Sequence, residues 1–149
     1  MDRIDARDLK IAKGAGVDFS LWDFLHCRAE GPELALAYSS VFWPDLIEVD
    51  GLVLVKENYD VEYFARVAAD CSREKIEATI NTTYLQDLFG ADARVADEKL
   101  WTALGEILRD CWKARAEAQF PGREFVSTFA WYSDDSDPGV TIYQKCEDT

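Results

Sequence analysis

The stretch LIEVDGLVLV, residues 46–55, restricts the fold more than any other part of this 149-residue sequence. Two apolar, β-branched runs flank Asp50-Gly51, a pair that readily takes the positive φ angles of a tight type I′ turn. An antiparallel hairpin is predicted there, and it needs further layers to be stable. A second hairpin is predicted over about 124–145. In residues 125–132, Phe125, Ser127, Phe129 and Trp131 alternate with Val126, Thr128, Ala130 and Tyr132, and VTIYQK is the partner strand. Neither face is polar enough to stand fully in water, so this hairpin belongs centrally in a sheet or against a partner.

Helices fill the rest. Asp18 or Ser20 caps FSLWDFLHCRAE, whose apolar residues cover most of its circumference and predict a buried helix. PELALAYSSVFW opens with Pro32 at a first helical position and ends before Pro44. In DVEYFARVAADC, Val61, Phe64, Val67, Ala68 and Cys71 form a stripe, with Glu62 and Arg66 spaced for an ion pair. Ser72 caps a helix predicted to run on through Ile76, Ile80, Tyr84 and Leu88 to a stop at Gly90. The longest helix is predicted from about Ala93 to Ala118, capped by Asp92 or Asp97. Gly105 inside it costs about 1 kcal/mol against alanine, which a close contact beneath it would offset. The expected architecture is a single α+β domain over 1–149: an antiparallel sheet built from the two hairpins, with four to five helices packed on it and residues 1–17 as a loose arm.

Charge sets the partners. Sixteen basic residues against 29 acidic give −13, and residues 1–28 contribute nothing to that excess. Such a field repels phosphate backbones and anionic membrane surfaces and draws basic partners inward. No signal-peptide core or membrane-length apolar run is visible, and Cys27, Cys71, Cys111 and Cys146 form no CxxC pair. These features predict a cytoplasmic protein with reduced thiols, and neither nucleic acid nor membrane as partner.

Chemistry-bearing residues are few. His26 is the only histidine, so a Ser–His or Cys–His mechanism must use it, with Asp23 one turn earlier to orient the ring. No nucleophile motif accompanies them, and zinc spacings and phosphate-binding glycine loops are missing too. Asp134, Asp135 and Asp137 in YSDDSDPGV are the candidate metal ligands. Counted from Asp134, a calcium loop meets Pro138 at its fifth position and Lys145 at its twelfth, so the EF-hand pattern fails. The stretch is expected to be a solvated hairpin tip, and no cofactor is predicted.

Aromatics beside acids remain. In SSVFWPDLIEVD, Phe42 and Trp43 stand at an element boundary beside Asp45, Glu48 and Asp50, a combination suited to gripping a basic partner. Core packing competes for the two aromatics. DCWKARAEAQFPGREF followed by VTIYQ is similar to small bacterial proteins in which a long helix runs into an FPxRxF strand. That resemblance covers under a third of the chain and implies structure without an activity.

Three functions are therefore carried forward. The favoured one is an acidic module that binds or inhibits a basic protein, including the immunity type that neutralises a toxin. The second is an enzyme using His26, Asp23 and a cysteine. The third is a small-molecule binder with a tryptophan-lined pocket.

Overall fold

Two antiparallel sheets meet along a seam built from helix side chains. The computed structural model describes residues 20–27, 30–90, 97–134 and 136–146. The expected arm at 1–17, the candidate caps Asp18 and Asp92, and Asp135 lie outside the described residues. In chain order the elements are α1 (Leu21–Cys27), α2 (Pro32–Phe42), β1 (Leu46–Val49), β2 (Leu52–Val55), α3 (Val61–Asp70) and α4 (Arg73–Asn81). They continue with β3 (Thr83–Tyr84), α5 (Leu85–Phe89), α6 (Glu98–Gln119), β4 (Phe125–Tyr132) and β5 (Asp137–Gln144).

The first hairpin forms as its sequence dictates. Leu46 to Val49 pair with Val55 to Leu52, and Asp50 and Gly51 take φ of 52° and 79°. All four residues of β2 are buried. Their alternation divides the core: Leu52 and Leu54 join Val67, Ile76 and Ile80 beneath α3 and α4, while Val53 and Val55 join Leu108, Trp112, Val140 and Ile142 on the α6 side. The chain is thus α+β, with small antiparallel sheets between helical layers.

Among the described residues the single expected sheet is in fact two, β1-β2 and β3-β5-β4, and six α-helices stand where four to five were expected. The reason lies on α4. Glu77 and Asn81, one turn apart, reach into the gap between β2 and β5. Asn81 Oδ1 accepts from Val55 N–H at 2.8 Å, and its Nδ2 donates to the carbonyls of Val53 and Ile142 at 3.0 and 2.9 Å. The Glu77 carboxylate accepts from Val53 N–H and Gln144 N–H, both at 2.6 Å, and from Gln144 Nε2. Helix side chains therefore occupy the line along which two strands would otherwise pair.

The helix expected through Leu88 stops at Asn81. Thr82 turns its hydroxyl back to Ala78 C=O at 2.6 Å, and Thr83 and Tyr84 pair with Val140 and Gly139 of β5. β-branched and aromatic residues suit this extended segment, and α5 then begins anew and ends at Gly90 with φ 65°. In α3, Arg66 lies over the Tyr63 ring at 5.7 Å, and no ion pair joins it to Glu62 among the described residues. Val61 and Ala68 of the expected stripe are exposed.

α6 starts after Asp97, one of its two expected caps, whose Oδ1 accepts from Lys99 N–H at 3.0 Å. Gly105 is buried directly on the Phe129 ring, the close contact its position called for. The β4–β5 turn is made by residues 133–136, with Ser133 and Asp134 at positive φ and Ser136 N–H bonded to Tyr132 C=O. Pro138 and Gly139 are already inside β5, opposite Trp131 and Ala130.

Candidate functional site

The corner between α2 and β1 holds the predicted binding residues. α2 ends where Trp43 N–H caps Ser39 C=O at 2.8 Å, and Pro44 then prevents the helix from continuing. α6 fixes this corner from across the core. Trp112 Nε1 donates to Val41 C=O, Arg115 Nε to Pro44 C=O and Gln119 Nε2 to Leu46 C=O, at 2.8, 3.0 and 2.8 Å. Phe42 turns inward against the core beside Phe89, so it buttresses the corner from below. Trp43 stays 46% exposed, with the Arg115 guanidinium 5.6 Å above its ring.

The three acids beside it differ. Asp45 faces the same Arg115 at 3.9 Å, a long and exposed pair of small energetic value. Glu48 is held by Arg123 at 2.5 Å. The Asp50 carboxylate projects from the hairpin tip, while its carbonyl accepts from Arg73 at 2.6 Å. Trp43, Asp45, Glu48 and Asp50 therefore share one solvent-facing edge, already partly neutralised by two arginines.

Exposed apolar side chains are concentrated on α1 and α2. Of nine exposed large hydrophobic residues among the described ones, seven lie between 21 and 43: Leu21, Trp22, Leu25, Leu34, Leu36, Tyr38 and Trp43. Trp22 is 74% and Leu36 69% exposed, and α2 has no fully buried residue. The expectation that α1 is a buried helix is thus overturned. Among the described residues the end of α2 packs on the core, through Val41, Phe42 and the stacking of Tyr38 on Phe89 at 5.5 Å. Alongside it, the sequence from Glu30 to Val55 holds Glu30, Glu33, Asp45, Glu48 and Asp50 and not one Lys, Arg or His. That gap in basic residues was readable from the sequence alone.

His26 is exposed on α1. Its neighbour Asp23 is engaged in capping: Ser20 N–H and Oγ donate to the carboxylate at 2.8 and 2.9 Å, and Ser20 Oγ accepts from Asp23 N–H. The Ser20 N–H, then its hydroxyl, hold the Asp23 carboxyl below the usual carboxylate range, with His26 adding a smaller effect. The carboxylate stabilises the helix start instead of orienting an imidazole.

For the metal candidates, Asp134 is exposed at the turn and Asp137 accepts from Gln86 Nε2 at 2.8 Å. Among the described residues no three His, Cys, Asp or Glu side chains cluster as metal ligands. Trp101 and Trp112 are buried in the core, and Trp131 is half-buried. A cleft of about 380 Å³ opens beside the hairpin tip between Arg73, Glu74, Gln144, Lys145 and Cys146, and no tryptophan or histidine lines it. No helix among the described residues is long and apolar enough to cross a membrane.

The thiols differ in reactivity. Burial, reinforced by the Asp110 carboxylate, pushes the Cys111 thiol up, whereas Cys146 is exposed. Iodoacetamide at neutral pH is expected to label Cys146 first and Cys111 at least about tenfold more slowly. Peptide mapping over a time course reads the order, and equal rates would contradict the packing of α6.

Comparison with protein-family models, curated proteins and solved structures gives no match.

Proposed function

We propose that this chain is an acidic docking module for a basic, amphipathic segment of another protein. The observation that carries the reading is the set of apolar side chains on α1 and α2 left exposed among the described residues, together with a stretch from Glu30 to Val55 without a basic residue. Apolar contact supplies the driving force at about 25 cal/mol per Å² buried. The acids select the sign of the partner and speed its approach. Trp43, an aromatic residue at the boundary of both features, anchors the contact. The net charge of −13 extends the same selection over the whole surface.

A variant in which Glu33 becomes Gln and both Asp45 and Asp50 become Asn tests the acidic share of the contact. Asparagine at 50 tolerates the φ of 52° that lysine would strain. Binding of a lysine-rich amphipathic helical peptide, followed by calorimetry, is expected to weaken about tenfold at low salt. The difference should shrink toward high salt, where the Debye length falls to about 3 Å at 1 M. Equal affinity of wild type and variant for the peptide at low salt would remove the acidic part of the proposal.

A further inference from the structure

β4 is the outer strand of the three-stranded sheet, and among the described residues it has none of the devices that usually protect an edge. Its eight residues, Phe125–Tyr132, include no charge, proline or glycine, and its register with β5 runs from Phe125↔Gln144 to Tyr132↔Asp137 without a bulge. β1, an edge of the other sheet, is the contrast. It is four residues long, carries Glu48 and is flanked by Pro44-Asp45 and Asp50. The edge at β1 is protected against pairing and the edge at β4 is not.

The hydrogen-bonding direction of β4 is fixed. Lys145 N–H donates to Glu124 C=O, so even-numbered residues of β4 turn their backbone groups to β5. Phe125, Ser127, Phe129 and Trp131 turn theirs outward, and among the described residues no backbone group bonds to them there.

We propose that β4 pairs antiparallel with β4 of a second copy about a two-fold axis through Thr128, extending the sheet from three strands to six. This surface is separate from the docking surface on α1 and α2, and the proposal does not depend on it. In this register every outward group finds a partner, giving about eight new backbone hydrogen bonds. The side chains are self-complementary in size. Phe125 faces Trp131 of the second copy, Ser127 faces Phe129, Val126 faces Ala130, and Thr128 faces its own equivalent. Aromatic pairs and Thr–Thr pairs are favourable across strands, and no like charges stand opposite each other.

The layer above also agrees. α6 lies over both β4 and β5. With strands about 4.8 Å apart, the two α6 helices would lie about 10 Å from each other, an ordinary packing distance that leaves the pairing unobstructed. A second copy fits this edge better than a basic segment does, because the strand offers no carboxylate to attract a cation. The cost is long-range repulsion between two chains of −13 each, which salt screens.

Sedimentation velocity of the full chain from low micromolar to about millimolar, at low and high salt, reads the association. A monomer–dimer equilibrium that tightens with salt is expected, the opposite of the salt dependence of a basic peptide. Thr128→Lys puts two like charges face to face on the axis and should weaken the dimer at least tenfold, while Thr128→Val should leave it intact. Ser127→Pro removes an outward N–H, together with the Ser127 Oγ bond to Thr141 C=O within the chain, and serves as an independent block. Hydrogen exchange supplies the second readout: the amides of Phe125, Ser127, Phe129 and Trp131 should slow as concentration rises. A monomer at every concentration and salt, or a dimer untouched by both Thr128→Lys and Ser127→Pro, would overturn the proposal.

Discussion

Asn81→Leu is expected to remove most of the stability of this protein. The side chain is fully buried and makes three hydrogen bonds to backbone, one to Val55 N–H and two to the carbonyls of Val53 and Ile142. Leucine is close in size, so it leaves those groups in place and without partners. An orphaned buried polar group costs about 1–3 kcal/mol, and three of them approach the 5–15 kcal/mol that hold an ordinary domain together. Glu77→Gln should act similarly through a different fault. The carboxylate accepts at both oxygens, whereas an amide has one oxygen and would aim an NH2 group at an N–H donor. Thr79→Ala, on the exposed side of the same helix, should change stability by no more than about 0.5 kcal/mol. Urea unfolding gives the comparison. A midpoint for Asn81→Leu within error of wild type would mean that β2 and β5 are joined by something other than this seam.

Gly105→Ala should destabilise, against the rule for helix interiors. Alanine normally gains about 1 kcal/mol over glycine in an α-helix. Here the added methyl falls inside the Phe129 ring, and the ring cannot move without displacing β4 against α6. Overpacking of this kind typically costs about 1–3 kcal/mol, which outweighs the propensity gain. The two positions must then be coupled. Phe129→Ala alone leaves a cavity and costs about 3–5 kcal/mol, but in that background Gly105→Ala should become stabilising. Thermal or urea unfolding of the four members of the cycle tests this. A Gly105→Ala protein more stable than wild type would show that the helix and strand are not in the contact described.

These two sites also mark how much of the structure was legible. Gly105 announced a close contact from sequence, because an uncapped interior glycine in a long helix calls for one. Its partner, Phe129, stood 24 residues away with nothing local to identify it. The Asp50-Gly51 hairpin and the Asp97 cap were legible because their signals are local. The seam was not. Glu77 and Asn81 follow the buried Ile76 and Ile80 by one position each, where a helical pattern places solvent-facing residues. Their hydrogen-bond partners lie between 24 and 67 residues away. Period four alone also concealed the break at Thr82-Thr83, since Tyr84 and Leu88 keep the spacing in a different strand and helix.

The corner between α2 and β1 was partly readable. Trp43, Asp45, Glu48 and Asp50 are near neighbours in sequence and share an edge in space. Arg115 and Arg123, which pair with Asp45 and Glu48, arrive from α6 and the turn after it. Apolar composition misled the reading of α1, because it shows that a helix can be buried and not whether a neighbour is there to bury it.

Hydrogen–deuterium exchange with and without a lysine-rich amphipathic peptide tests the central claim most directly. The account predicts protection concentrated in α1, α2 and the corner through Asp50, stronger at low salt and missing with a glutamate-rich peptide of the same apolar pattern. Protection spread evenly over the chain, or equal protection by the two peptides, would contradict it.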